Sequence, residues 1–262
     1  MSGPAEAAAK LRAAAPRGLT DAAYDAIKRE IIECRVAPGA TVSQEALMDS
    51  LALTKAAVRG ALARLDQEGL IQPLPRRGYR VAPISLHDIE EIFAVRELVE
   101  PAVTRLAAAR MTTGALATLR RLAAISFRPG QRDTQRRYIQ ANRDFHLTIA
   151  LCGGNGRLHR MLAQILDEFA RITFLTMGAV DESENWRLGH EAILEALARG
   201  DAAAAESSCR GELTAARRAM LSAVIASSGI SRVNIARPGE AWRTTSRDSS
   251  TPPASRRRSS TP

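Results

Sequence analysis

The sequence predicts a mostly α-helical protein in two parts: a small helical unit closed by one β-hairpin, then an all-α antiparallel helical bundle. Three observations point there. Alanine and leucine dominate the composition, and both favour helix. Aromatic residues make up only 4%, few for a sandwich or barrel, whose strands favour aromatic and β-branched side chains. Apolar residues recur at helical spacing along most of the chain, and strand signals are confined to residues 70–82. The 262 residues correspond to one large or two modest domains at ~150 residues each, enough to bury a core.

The elements follow in order. Residues 1–17 show no apolar period and read as a flexible N-terminal arm. A helix is expected from Thr20, an N-cap residue followed by Asp21, with Tyr24, Ile27, Ile31 and Ile32 as its apolar stripe. Pro38-Gly39 marks a turn. Ser43 caps a short second helix carrying Ala46 and Leu47. Thr54 caps a third, which buries Val58, Leu62 and Leu65 and ends where Gly69 suits the C′ position. Leu70 to Leu74 reads as a strand, Pro75-Arg76-Arg77-Gly78 as a turn, and Tyr79 to Ala82 as the returning strand. Helix, helix, turn, helix, hairpin over residues 18–82 is the layout of a winged helix-turn-helix. A linker is expected at 83–88, with Ser85 capping the next helix. Helices are expected at roughly 86–110, 113–126, 132–152, 156–178, 183–199 and 201–226, forming a bundle over residues 89–226. Residues 227–262 are rich in Ser, Thr, Pro and Arg and read as a disordered basic tail.

The charge is unevenly placed. Of the net +9, residues 1–82 carry +3, residues 83–226 carry +1 and residues 227–262 carry +5. Arg256, Arg257 and Arg258 form either a solvated end or an arm that touches phosphates. No apolar run approaches the ~20 residues that cross a bilayer, and Met1–Gly18 has no signal-peptide h-region. Cys34, Cys152 and Cys209 are too far apart for a disulfide framework or a CxxC knuckle. A cytoplasmic protein with no membrane partner is expected.

The winged layout implies chemistry. A winged helix sets one helix in the major groove, props it with the helix before, and reaches flanking phosphates with a basic hairpin. The third helix opens Thr54-Lys55-Ala56-Ala57-Val58-Arg59. Lys55 and Arg59 are four apart and share a face, while Val58 and Leu62 point the other way, so the cations can approach DNA without unpacking the core. The hairpin adds Arg76, Arg77 and Arg80 around Gly78, which permits a tight tip and close backbone approach. The plainer alternative is a solvated basic face.

These residues carry a resemblance. Ala37-Pro38-Gly39-Ala40-Thr41-Val42, Thr54 to Leu62, and Leu65-Asp66-Gln67-Glu68-Gly69-Leu70-Ile71 resemble the GntR-type winged helix. Val95-Arg96-Glu97-Leu98-Val99-Glu100, Asn142-Arg143-Asp144-Phe145-His146 and Gly189-His190-Glu191-Ala192-Ile193-Leu194-Glu195-Ala196-Leu197 resemble the FCD-type ligand-sensing domain of that family's FadR branch. The resemblance spans about residues 19–226. It implies a dimeric, metabolite-responsive transcription regulator. The chain has Lys55 where the family usually has Arg, Ala56 and Ala57 where it has Thr and Pro, Gly60 where it has Glu, and Glu45 where an Arg is common, so no operator sequence carries over.

Asn142 and His146, four apart, can point inward together from one helix, with His190 on a later helix and Glu212 on the last. Two imidazoles with oxygen ligands suit a divalent cation such as Zn, Ni or Mn. The resemblance implies Asp, His, His and His at these four positions, so Asn142 and Glu212 alter the set. The alternative is a metal-free pocket whose same side chains bind an organic acid. Arg96 is either the anchor of an effector carboxylate, through its planar fork, or half of a surface pair with Glu100. The rivals to a homodimeric regulator of double-stranded DNA are a metal-dependent enzyme using His146, His190 and Glu212 with a bound water, and an interaction module without DNA binding.

Overall fold

In the computed structural model, residues 18–128, 130–177, 183–226 and 233–234 are described. The arm at 1–17 and the Arg256–Arg258 cluster lie outside them. Helix α1 spans Leu19–Ile32, α2 Gln44–Leu51 and α3 Lys55–Gln67. Strands β2 (Ile71–Leu74) and β3 (Gly78–Val81) form the hairpin in register Leu74↔Gly78. The order matches the winged layout. Two caps are as expected: Ser43 Oγ accepts from the Ala46 N–H at 3.0 Å, and Thr54 Oγ1 from Ala57 at 3.4 Å. Gly69 takes the left-handed C′ conformation after α3, with φ +72°. The start of α1 differs from expectation. It begins at Leu19 with Gly18 as N-cap and no side-chain cap bond, so Thr20 lies inside the first turn.

A third strand, β1 (Thr41–Val42), pairs with β3 as Thr41↔Arg80 and Val42↔Tyr79. The core beneath comprises Ala23, Ile27, Ile31, Leu47, Val58, Leu62, Leu65, Ile71 and Val81, all buried. It forms because the apolar stripes of α1 and α3 face each other.

Beyond β4 (Ile84–Ser85), α4 runs Leu86–Ala108, α5 Thr113–Ala123, α6 Arg132–Cys152, α7 Gly156–Thr176, α8 Ser183–Ala198 and α9 Ala202–Ala226. The stretch read as a linker thus holds a strand and the first turn of α4. Ser85 and Asp88 close a capping box there. Helices α4 and α9 form the spine, α6 packs on α5 and α7, and α8 packs on α9. One core layer gathers Phe93, Val103, Leu162, Leu166, Phe169 and Met220, and another Phe145, Ile149, Ile193, Leu197, Cys209 and Leu213.

β5 (Val233–Asn234) pairs in parallel with β4, as Ile84↔Val233 and Ser85↔Asn234. This corrects the reading of 227–262 as unstructured throughout. The two-residue strand that ends in the Ser85 cap gains backbone pairing from the later segment. No helix among the described residues is long and apolar enough to cross a membrane.

Candidate functional site

The first surface lies on the winged unit. Capping by Thr54 fixes the start of α3, and burial of Ala57, Val58, Ala61, Leu62 and Leu65 fixes its roll. Lys55 and Arg59 are therefore exposed on the opposite face. Arg76 and Arg77 are exposed at the hairpin tip and Arg80 is half-buried on β3. Gly78 has φ +92°, and a Cβ there would lie 2.5 Å from the Val42 carbonyl oxygen. The glycine lets β3 pass close against the end of β1. None of Lys55, Arg59, Arg76, Arg77 and Arg80 forms an ion pair among the described residues. Elsewhere on the unit, Lys28, Arg35 and Arg64 are each paired with a carboxylate.

The second site is buried in the bundle. His146 from α6, His190 from α8 and Glu212 from α9 are 3%, 3% and 7% exposed, and one ligand atom from each lies within 4.8 Å of the others. The Nε2 atoms of His146 and His190 and Oε2 of Glu212 have no hydrogen-bond partner among the described residues. Three buried polar atoms left unsatisfied together need an explanation. Local packing holds them there. The Phe145 ring stacks on His190 at 4.1 Å, and the two imidazoles meet edge to face at 5.3 Å. Gly189 makes room for Glu212: a Cβ at 189 would sit 2.6 Å from the Glu212 Cγ.

Two further charges complete the cluster. Arg96 and Glu100, one turn apart on α4, form an ion pair through Nε and Oε1 with both side chains buried. The surface-pair alternative for Arg96 is thus corrected. Both residues fall on the stripe that carries Ile92, Phe93, Val99 and Val103, so the helix turns them inward. The Arg96 guanidinium lies 4.1 Å from the centre of the Phe169 ring, and its Nη1 and Nη2 have no hydrogen-bond partner among the described residues. Oε2 of Glu100 is 2.8 Å from Nδ1 of His146. A carboxylate behind an imidazole orients the ring and fixes which nitrogen is left to ligate. The sequence reading did not assign Glu100 this role.

The electrostatics agree with an incomplete cluster. Burial alone would raise the Glu100 carboxyl, but Arg96 and His146 outweigh it and bring it to about 2. Burial raises Glu212, and His146 and Arg96 oppose this only in part. Burial, then the neighbouring His146 and Arg96, drive His190 well below the ordinary range, so its imidazole is neutral, the form that binds a metal. The groups present suit a divalent cation, which would satisfy both free imidazole nitrogens and neutralise Glu212. Asn142, one turn before His146, is half-buried. It lines a cavity of about 10 Å³ with Tyr138, Phe169 and Thr173, room for a single water.

A capped three-helix unit with a basic wing, followed by a helical bundle around a buried polar cluster, defines a helix-turn-helix regulator with a separate sensor domain. Residues 19–81 match the bacterial regulatory proteins of the gntR family, and residues 91–223 match the FCD domain. The chain belongs to the GntR family of bacterial transcriptional regulators. Among curated relatives, the HTH-type transcriptional repressor RspR of Escherichia coli K12 is 34% identical over 89 residues, which are 34% of this chain and 39% of RspR's length. An HTH-type transcriptional regulator of Paraburkholderia xenovorans, BphR, is 28% identical over 70% of this chain and 78% of its own. The E. coli K12 repressor GlaR is 26% identical over 72% of this chain and 90% of its own. Of solved structures, E. coli McbR/YncC superposes with a TM-score of 0.69 at 20% identity, covering 79% of this chain and 99% of that one. A GntR regulator from Rhodococcus gives 0.63 at 21% identity, over 78% and 97%. These structural likenesses establish the fold.

Proposed function

We propose that the protein is a homodimeric, metabolite-responsive regulator of the FadR branch, which binds a two-fold operator through α3 and the wing and senses a small organic acid in the bundle. The observation that carries this reading is the set of exposed cations, Lys55 and Arg59 on α3 with Arg76 and Arg77 at the hairpin tip, which form no ion pair among the described residues of a unit whose Lys28, Arg35 and Arg64 are neutralised. Lys55 and Arg59 are assigned to base edges and adjacent phosphate, and Thr54 to capping at the DNA-facing end of α3. Arg76, Arg77 and Arg80 around Gly78 are assigned to flanking phosphates. The homodimer is supported by α4, which leaves Ala94, Leu98 and Ala102 exposed on one stripe, Leu98 to 77%. A second copy would cover that stripe, and a two-fold protein needs a two-fold operator. The metal-dependent enzyme reading of the same buried trio has no support among these relatives, which are named as regulators and repressors.

In the sensor domain, His146, His190 and Glu212 would hold Zn, Ni or Mn, with Asn142 as a neutral fourth donor. The free guanidinium nitrogens of Arg96 suit the carboxylate of the effector. A bound cation would supply a fixed positive charge against which an acid could dock.

After treatment with chelator, addition of Zn, Ni or Mn raises the melting midpoint of the wild type. An ion at a hundredfold over its Kd contributes about 2.7 kcal/mol by mass action. His146→Ala/His190→Ala removes the rise. Gly189→Ala weakens it, because the added Cβ displaces Glu212. Purified wild type without metal, and no ion shifting its midpoint, would defeat the metal reading. A thermal-shift screen of small carboxylic acids then tests the remaining one.

For the wing, Arg76→Ala and Arg77→Ala weaken binding to all sequences alike. Each lowers the slope of log K against log salt by about one for every phosphate it leaves without a cation. An unchanged slope in both variants takes the wing off the DNA.

A further inference from the structure

A chain of ion pairs runs from the recognition helix to the sensor helix. Glu68 is the residue that closes α3 at its C-terminus. A carboxylate there opposes the helix dipole, and it is held by two partners from α1. The Tyr24 hydroxyl donates to it at 2.6 Å and the Lys28 ammonium at 2.8 Å. Lys28 also reaches Oδ2 of Asp167 on α7 at 2.8 Å, and Oδ1 of Asp167 accepts from Arg143 Nε on α6 at 2.7 Å. Lys28 and Asp167 are only 18% and 16% exposed at their side chains, so the bridge is less screened than a surface pair.

The placement of Arg143 gives this chain a role. It stands between Asn142 and Asp144 and three residues before His146, on the helix that brings His146 to α8 and α9. The same helix grips α1 again further back, where Arg136 pairs with Glu33 at 2.8 Å and Arg132 donates to the Glu33 carbonyl. Helix α6 therefore offers the buried cluster one face and the DNA-binding unit another. Helix α1, meanwhile, packs along α3 and also touches α7. Any shift of α6 that accompanies closure around His146 reaches Asp167 through Arg143, then Glu68 through Lys28.

We infer that Lys28, Asp167 and Arg143 are positioning residues that transmit the state of the His146–His190–Glu212 cluster to the end of the recognition helix. This rests on the function proposed above, and the test separates the two. Amide hydrogen exchange is followed in the full chain for wild type, Lys28→Met, Arg143→Met and, as control, Arg105→Met, which breaks an exposed pair with Glu206 between α4 and α9. Arg143→Met speeds exchange across Leu65–Leu70 about threefold to fivefold, as Lys28→Met does, although Arg143 is three ion pairs away from Glu68. The double variant goes no further than the larger single one, and Arg105→Met leaves Leu65–Leu70 unchanged. Exchange altered only within α6 and α7 in Arg143→Met overturns the inference. In a second arm, Zn or Ni alone is added to chelator-treated protein. It alters exchange at Leu65–Leu70 in the wild type but not in Arg143→Met, while both keep the metal-induced rise in melting midpoint. A response that survives Arg143→Met also overturns the inference. If neither ion binds the wild type, the metal reading falls and the first arm alone decides the relay.

Discussion

Arg59→Ala lowers operator affinity by about tenfold to a hundredfold and leaves the protein folded. Arg59 is exposed on α3, and the residues that hold α3 in the core, Ala57, Val58, Ala61, Leu62 and Leu65, lie on its other side. Truncation at 59 removes no packing. Loss of one good bond to a base costs about 1–3 kcal/mol of binding. Arg64→Ala on the same helix is the informative comparison. Arg64 bonds Asp21 at 2.8 Å and lies over the Tyr24 ring, turned toward α1, so its loss leaves operator affinity within a few-fold. Fluorescence anisotropy at one fixed salt concentration, with circular dichroism as the fold control, distinguishes the two. Wild-type affinity in Arg59→Ala, or equal losses in both variants, would refute the assignment of α3 as the reading helix.

The most destabilising single change is expected at Glu100. Glu100→Ala leaves the fully buried Arg96 guanidinium without its ion-pair partner, and His146 Nδ1 without the Glu100 oxygen behind it. Removing one member of a buried pair costs about 3–5 kcal/mol, because the remaining charge is uncompensated. The double variant Arg96→Met/Glu100→Leu keeps the volume, removes both charges and loses less. Urea unfolding of the sensor domain measures this, and a Glu100→Ala protein as stable as wild type would contradict the buried-pair account. The pH dependence has a fixed sign. The folded carboxyl lies at about 2, below the ~4.3 of an unfolded Glu. Its contribution is complete above the unfolded value and is lost as pH falls from about 4 toward 2.

The helices are legible in the sequence because their signals are local. Apolar spacing along Val58, Leu62 and Leu65, the caps at Ser43, Thr54 and Ser85, and Gly69 after α3 each lie within a few residues of the boundary they set. β1 is not legible. Two residues, Thr41 and Val42, carry no period, and they are a strand only because β3 returns beside them from beyond α2 and α3. The pairing of β5 with β4 is longer in range still. His146, His190 and Glu212 stand out by their positions on separate helices, and the structure brings them together. Glu100 is harder to read. It shares the inward stripe with Phe93, Arg96 and Val103, but an acid four residues after an arginine also fits a solvated helix pair, and burial decides between them. Lys28 with Asp167 has no local signature, since the pair exists only when α1 docks on α7.

The central claim is that α3 and the wing read DNA under the control of the buried cluster. Selection of DNA from a random pool by the full-length protein, followed by affinity measurement with and without Zn or Ni, tests it most directly. The account predicts enrichment of a two-fold-symmetric sequence, an affinity that falls with salt and in Arg59→Ala, and an ion-dependent change in affinity that His146→Ala/His190→Ala abolishes. A pool with no enriched sequence, bound equally by wild type and Arg59→Ala, would contradict it.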